Sequence, residues 1–122
     1  INIPNSVTFI GAEAFRECLN MTSIIIPAGI SSIEEGVFVY CKKLSSVTIP
    51  DSVISIGDHA FSNCESLTSI NIPDSVTSIG NDAFDGCTSL TSVYYKGTAS
   101  EWAEISISSG NEYLTSATIY YV

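Results

Sequence analysis

Apolar positions recur along this chain with a constant spacing, and short polar segments separate them. One phenylalanine series and one cysteine series show the spacing most clearly, because both advance by the same constant step. The two series are Phe15, Phe38, Phe61, Phe84 and Cys18, Cys41, Cys64, Cys87. Leucine, isoleucine, valine and proline positions keep the same phase. A fixed period of this size is the signature of a chain that stacks repeated turns.

The unit that begins at Leu67 predicts that each turn starts with a short strand. Leu67, Ile70 and Ile72 end in an alternation of apolar and polar residues, as in a strand with one buried face. Pro73 follows directly and has no backbone N–H to donate, so the strand is expected to end there. Asp74-Ser75 then predicts a turn, because short polar side chains bond nearby backbone groups.

The second half of the unit predicts one more strand and a compact turn. Apolar residues resume up to Ile79, which favours a second short strand, and Gly80 allows a tight bend. Ala83, Phe84 and Cys87 then fall at helix-like spacing. We therefore predict a helical or 3₁₀ piece of one or two turns at this point.

A single unit buries too few side chains to offset the entropy lost on ordering it, so neighbouring turns have to share a core. The expected fold is an α/β repeat solenoid with a main parallel sheet, second short strands and short helical or 3₁₀ turns. Residues 1–95 would hold about four units, the first of them truncated inside a strand. That open first strand predicts self-association, which light scattering can test.

Residues 96–122 depart from the repeat and are expected to form a C-terminal capping repeat. Thr98 and Glu101 have the spacing of a capping box, in which each bonds the backbone of the other. A short helix that carries Trp102 and Ile105 is predicted to follow.

The end of the chain predicts a sixth strand. Asn111 stands where earlier units have cysteine, and Leu114 follows Leu90 by one position more than the regular step. Ala117 would then continue the column of Val93, which places the strand near 117–121. Five of the six tyrosines and the tryptophan come after residue 93. Two interpretations stay open: a cap whose rings cover the last core, or a platform on which sugars stack.

The charge balance argues against two classes of partner. The formal net charge is −9, and the positive side chains are Arg16, Lys42, Lys43 and Lys96. Nucleic-acid binding needs clustered Lys and Arg to neutralise phosphates, so no nucleic-acid partner is expected. An anionic membrane surface would repel the chain. No apolar run reaches the roughly 20 residues of a membrane span, so membrane insertion is not expected either.

The four cysteines occupy one column of the repeat, which favours reduced, buried thiols that pack as small hydrophobes. Zinc normally takes paired Cys or Cys/His spacings, and the chain has a single histidine. Stacked turns bring cysteines near one another, so a disulfide stays an alternative where the Cβ directions permit it.

No residue pattern points to catalysis or to a bound metal. Asp58-His59 resembles a general-base pair, but no serine motif accompanies it, and a solvated turn is the simpler interpretation. Asp51 and Asp74 share a column and are expected one turn apart, near ~5 Å. A shared calcium ion would need more oxygen ligands than this column supplies, so turn capping is favoured.

One outward-facing column of the main sheet is the best candidate binding surface. It is predicted to contain Asn2, Ile25, Thr48, Asn71, Tyr94 and Thr118, with a row of serines beside it. A solvated sheet face would explain the polar members. Exposed Ile25 and Tyr94 instead favour ligand contact, as does Tyr40, which breaks an otherwise polar column. The candidate contact residues are therefore Ile25, Thr48, Asn71, Tyr94 and Tyr40.

The columns resemble the BspA-like leucine-rich repeat family, whose unit is similar to C-x-x-L-x-x-I-x-I-P-x-S-V-x-x-I-G-x-x-A-F-x-x. Residues 64–86 match it, and residues 41–63 and 18–40 match it more loosely. The resemblance implies a right-handed solenoid and a secreted or surface-attached protein. It also implies adhesion to host proteins or to other cells, and it supplies no catalytic residue or cofactor.

The sequence therefore predicts a non-enzymatic binding or adhesion module outside the cell or on its surface. Its expected partners are host or cell-surface proteins or glycans, met by an extended repeat surface. The alternative is a passive spacer within a larger surface protein, whose sheet face would bind nothing.

Overall fold

The computed structural model describes residues 2–122, and in it the chain forms a stack of turns with two walls of parallel strands. The strands of the first wall are β1 (Ser23–Ile25), β3 (Ser46–Thr48), β5 (Ser69–Ile72), β7 (Ser92–Tyr95) and β9 (Thr118–Tyr121). Those of the second wall are β2 (Ser32–Ile33), β4 (Ser55–Ile56), β6 (Ser78–Ile79) and β8 (Ser106–Ile107). Two short helices follow β7, namely α1 (Ala99–Glu104) and α2 (Glu112–Thr115).

Both predicted sets of strands are present from the second unit onward, and every neighbouring pair except β3 and β5 is parallel and hydrogen-bonded. The strand predicted at the start of the chain is wrong for residues 2–3, which form no strand, and residue 1 lies outside the described residues. The register advances by one unit, so that Ser55 lies opposite Ser78 in the second wall and Ile70 lies opposite Val93 in the first. The second wall is one four-stranded sheet, β2-β4-β6-β8. The first wall consists of two sheets, β1-β3 and β5-β7-β9, because β3 and β5 lie adjacent without strand pairing.

The strands bury alternate side chains, as the sequence predicted. In β5, Ile70 and Ile72 are buried and Asn71 is exposed. Gly80 is needed for a different reason from the predicted bend. A Cβ atom added to it would lie 2.6 Å from the backbone nitrogen of Asp58 in the preceding turn. Glycine at this position therefore permits close backbone packing between turns.

The predicted helical piece at Ala83, Phe84 and Cys87 is wrong in its local geometry, because the third side of each turn is a series of tight turns. His59 and Asn63 in one unit, and Asp82 and Gly86 in the next, have positive φ angles between 56° and 72°. These left-handed residues interrupt any helix. Alternate N–H groups also point away from their own turn, and the N–H of Phe61, for example, donates to the carbonyl of Ala83 at 2.7 Å.

Two columns within the core, one of rings and one of thiols, run down the stack. Neighbouring rings of Phe15, Phe38, Phe61 and Phe84 stack with centroids 5.7, 5.3 and 5.2 Å apart. The last three rings and the thiols of the last three turns are fully buried. Each turn thus fills the interior of its neighbours, and no turn has a core of its own.

The C-terminal region continues both walls. The predicted capping box is present, since the Thr98 side chain accepts from the Glu101 N–H and the Glu101 carboxylate accepts from the Thr98 N–H. Trp102 lies within α1, and Ile105 is its C-cap. Strand β8 was not predicted from the sequence, and it pairs with β6 through Ser78 and Ser106.

The register of the last strand differs from the prediction. Ile119, rather than the predicted Ala117, lies opposite Val93. Leu114 is buried within α2, and a helix rises only about 1.5 Å per residue, so extra residues are needed before the strand resumes. Tyr120, rather than the predicted Thr118, therefore lies opposite Tyr94.

Candidate binding surface

The outward face of the first wall gathers four of the five predicted contact residues. Ile25 lies opposite Thr48, and Asn71 lies opposite Tyr94. All four are exposed, and Ile25 is 69% exposed despite its apolar side chain. We call these four residues and Tyr120 the sheet-face row. The alternation of buried apolar residues and exposed residues along each strand was enough to predict that the four share one face.

Tyr120 adds a ring that was not predicted from the sequence. Its ring stacks on Tyr94 with centroids 5.1 Å apart and an interplanar angle of 18°. The signal for it was the Tyr120-Tyr121 pair, which repeats Tyr94-Tyr95 and pairs with it residue by residue. The two exposed rings form one aromatic surface at the end of the row, and such amphipathic rings are enriched in binding interfaces.

The sheet-face row is uncharged. The five strands of the first wall have the sequences SII, SVT, SINI, SVYY and TIYY, which contain no Asp, Glu, Lys or Arg. In a chain with a formal net charge of −9, this leaves an extended face that offers hydroxyl, amide, aliphatic and aromatic groups. Such a face is suited to contacts made by hydrogen bonds and ring packing rather than by ion pairs.

Tyr40 does not lie with the other candidates. It lines a groove of about 350 Å³ on the third side of the stack, together with Glu13, Arg16 and His59. The backbone of Tyr40 is left-handed, with φ of 60°, and its ring is 38% exposed. A bulky residue in this conformation costs about 1–3 kcal/mol. The sequence could not predict this separation because column position alone does not tell which side of a turn a residue faces.

The Asp58-His59 pair has the geometry of a turn. His59 Nε2 lies 3.8 Å from Asp82 Oδ2 in the next turn, and both side chains are about half exposed. Asp58 Oδ1 accepts a hydrogen bond from the Asn81 N–H at 2.8 Å, which links two turns. These contacts cross the stack and do not converge on a nucleophile.

Asp51 and Asp74 likewise show no metal-site geometry. Asp51 Oδ1 lies 3.7 Å from Lys96 Nζ. Across residues 2–122, no group of three or more His, Cys, Asp or Glu side chains is arranged to hold a metal ion. Within the same part of the chain, neither helix is long and apolar enough to cross a bilayer.

The thiols are free and bond to the preceding turn. Cys41, Cys64 and Cys87 donate from Sγ to the carbonyl of the phenylalanine one turn earlier, at 3.1, 3.2 and 3.0 Å. Burial raises the pKa of all three thiols, that of Cys87 to about 12. Since the thiolate is the reactive form, these three cysteines are chemically quiet, whereas Cys18 is only half-buried.

Parallel strands on two walls, one turn per repeat of the sequence and a shared leucine, isoleucine and phenylalanine core define a leucine-rich repeat solenoid. The sequence agrees with that class along nearly its whole length. The chain belongs to the BspA type leucine rich repeat region family, which it matches in six copies over residues 1–119.

Solved structures of bacterial proteins share the fold. A leucine rich cell surface protein from Faecalibacterium prausnitzii is 41% identical, with a TM-score of 0.81 over 84% of this chain and 27% of its own. A leucine-rich repeat protein from Bacteroides ovatus is 26% identical, with a TM-score of 0.72 over 100% of this chain and 37% of its own.

The leucine rich repeat protein TpLRR of T. pallidum is 27% identical, with a TM-score of 0.54 over 70% of this chain and 50% of its own. This chain therefore spans between about a quarter and a half of the length of the three proteins. A comparison with curated proteins finds no match.

Proposed function

We propose that the chain is a non-enzymatic binding module of a cell-surface or secreted protein, and that the sheet-face row contacts a protein or glycan partner. The observation that supports this most is the exposure of Ile25 and of the stacked Tyr94 and Tyr120 rings on one uncharged face. Large apolar side chains gathered on one face are a common mark of an interaction surface.

The surface location rests on relatives. The Faecalibacterium prausnitzii protein is described as a cell surface protein, and it shares 41% of its residues with this chain over the matched part. Extended faces of stacked repeats commonly serve as binding surfaces, which favours a binding role over catalysis. Adhesion to host proteins or to other cells is one form that such binding would take.

The same proposal assigns different roles to the two parts of the chain. Residues 1–95 would present all of the sheet-face row except Tyr120, and residues 96–122 would supply that ring and cap the core of the last full turn. Trp102 supports the capping role because its ring packs edge-on against Tyr95 at 5.1 Å, and Tyr95 is buried. Because the Trp102 ring is half-buried, this contact supports the cap over the sugar platform.

An array of host proteins and glycans, probed with the labelled chain, tests the proposal. Ile25→Ser and Tyr94→Ala are expected to weaken each detected interaction about fivefold to thirtyfold, since an interface aromatic commonly contributes about 1–2 kcal/mol. Ile54→Ser and Tyr113→Ala are matched controls, because both residues are exposed and lie outside the first wall.

The outcome that contradicts the proposal is specific. If the array shows binding that Ile25→Ser and Tyr94→Ala leave intact, the sheet-face row is not the binding surface. If the array shows no binding to any protein or glycan, the result favours the alternative of a passive spacer.

A further inference from the structure

Three of the residues at which the second unit, residues 21–43, departs from the repeat meet on the third side of the stack. Gly36, Val39 and Tyr40 all replace the residue types found in neighbouring units, and all three line the groove of about 350 Å³. We call it the turn-side groove. The structure places these three departures around one space between turns, apart from Ile25 on the sheet face.

Gly36 lies in the wall of the groove. Neighbouring turns have Glu13, His59 and Asp82 at this position, so each of those turns places a side chain where the second turn has none. A Cβ atom added to Gly36 would lie 3.1 Å from the Glu13 side chain, and φ of 62° adds strain for any other residue. The Glu13 side chain therefore lies over the buried Gly36, and the two residues form one wall of the groove.

Tyr40 forms an aromatic wall of the groove. The equivalent residues are Glu17, Asn63 and Gly86, and asparagine and glycine are the types that tolerate this left-handed backbone best. A tyrosine here is unfavourable for the backbone, and its ring is exposed rather than buried in the core. An unfavourable backbone conformation that keeps the Tyr40 ring at the surface points to a role in ligand contact.

The electrostatics of the groove select the ligand. Its charged lining consists of the carboxylates of Glu13, Glu35 and Asp85 and one guanidinium, that of Arg16. This excess of negative groups lies in a chain whose formal net charge is −9. Charge complementarity therefore favours a cationic ligand group over an anionic one.

Arg16 already shows how the groove holds such a group. Its guanidinium lies 5.8 Å from the centroid of the Tyr40 ring and 3.2 Å from the Glu13 carboxylate. A ring face combined with a carboxylate is the arrangement that recognises guanidinium and ammonium groups. Glu35 and Asp85 have no ion pair among the described residues, so they remain available to a second cation.

We propose that the turn-side groove binds a basic peptide segment of a partner protein, whose arginine or lysine side chain enters beside Tyr40 and pairs with the carboxylates of Glu35 and Asp85. This surface lies on the third side of the stack and is independent of the sheet-face row. The chain would thus have two binding surfaces, one uncharged and one selective for cations.

Fluorescence anisotropy with a labelled peptide of alternating arginine and glycine tests the proposal. The matched probe has citrulline in place of arginine, which keeps the shape and removes the charge. The arginine peptide is expected to bind at least tenfold more tightly than the citrulline peptide. Its affinity is expected to fall as salt is raised, because exposed charges are screened.

Tyr40→Asn is the decisive variant, because Asn63 shows that asparagine fits the same backbone conformation one turn later. The variant should fold at least as stably as the parent and bind the arginine peptide about threefold to tenfold more weakly. Tyr113→Asn, at an exposed tyrosine of α2, should leave binding unchanged.

Glu35→Gln should weaken binding about twofold to fivefold, and Glu112→Gln, which makes the same charge change in α2, should have a smaller effect. Equal binding of the citrulline peptide, or unchanged binding by Tyr40→Asn, would overturn the proposal. Binding of an uncharged oligosaccharide in place of the arginine peptide would overturn it too. Ile25→Ser and Tyr94→Ala should not alter peptide binding, so this proposal and that for the sheet-face row can fail separately.

Discussion

The regular turns and the C-terminal end satisfy the same backbone groups in different ways. In the third unit the N–H of Phe61 donates to the carbonyl of Ala83 in the next turn at 2.7 Å. In the fourth unit the N–H of Phe84 donates to the side-chain Oδ1 of Asn111 at 3.0 Å. A regular turn thus relies on the backbone of the next copy, and the last one relies on an amide side chain.

Asn111 occupies the cysteine column but has more bonds than any thiol there. Its Nδ2 donates to the carbonyls of Gly80 and Ser108 at 3.0 and 2.9 Å, and its residue is only 3% exposed. A regular thiol, such as that of Cys87, makes one bond, to the carbonyl of Phe61. A regular repeat therefore needs only a small hydrophobe in this column, whereas the irregular C-terminal repeat supplies a donor and an acceptor together.

The largest effect is expected within the regular turns. Phe61 is fully buried between the rings of Phe38 and Phe84, so Phe61→Ala should lower the free energy of unfolding by about 3–5 kcal/mol. Chemical denaturation measures the loss. Phe9→Ala is the control, since Phe9 is 69% exposed and its loss should cost under about 0.5 kcal/mol. Equal losses of stability for the two variants would contradict the burial of the Phe61 ring between its neighbours.

The C-terminal end should be nearly as sensitive to one polar side chain. Asn111→Ala leaves the buried N–H of Phe84 without its acceptor and should cost about 2–3 kcal/mol in chemical denaturation. Asn111→Cys restores the column residue but supplies no amide acceptor, so it should be destabilised similarly. The exposed Asn20→Ala is the control. If Asn111→Cys is as stable as the parent, the C-terminal region does not need the amide, and it does not differ from the regular turns in this respect.

The next largest effect is a loss of stability at alkaline pH, caused by a buried thiol of the regular turns. The folded pKa of Cys87, about 12, is raised by burial above the ordinary value of 9.0. An unfolded chain therefore releases this proton above about pH 9 while the folded chain retains it, so stability is full below that pH and falls above it. At roughly one unit above the ordinary pKa, the parent should have lost about 1.4 kcal/mol more than Cys87→Ala. Parallel pH profiles for the two would contradict a buried thiol.

The smallest expected effect concerns α1. Thr98→Ala removes the side-chain acceptor for the Glu101 N–H, 3.2 Å away, and should cost about 1 kcal/mol. The melting temperature reports it, and Thr88→Ala serves as the control at an exposed threonine of the fourth unit. An unchanged melting temperature would mean that α1 adds little to the stability of the last turn.

The sequence predicted the features that depend on the spacing of residues along the chain or on a local motif. The last three members of the Phe and Cys series are buried columns, the second strands lie where Ile79 and its equivalents resume burial, and Thr98 with Glu101 forms a capping box. Each depends on spacing or on a local motif. The outward placement of Asn71 and Tyr94 follows for the same reason, since strand residues alternate between faces.

Other features depend on contacts between turns, which spacing does not report. Helix-like spacing at Ala83, Phe84 and Cys87 is equally compatible with left-handed turns whose N–H groups bond the neighbouring turn. The register of Ile119 depends on how much chain α2 consumes. For Tyr40, only the stacked turns show that it lines a groove apart from the sheet-face row.

Deleting one period tests the central claim that successive turns stack in register and share one core. Removal of residues 44–66 joins Lys43 to Leu67 and brings Phe38 next to Phe84 in the same column. We expect this shorter chain to unfold cooperatively in denaturant, with lower stability and a smaller m-value than the parent. Removal of residues 44–55 alone puts the columns out of phase and should leave the chain unfolded. The account is contradicted if the whole-period deletion is as unfolded as the half-period deletion, or if both fold equally well.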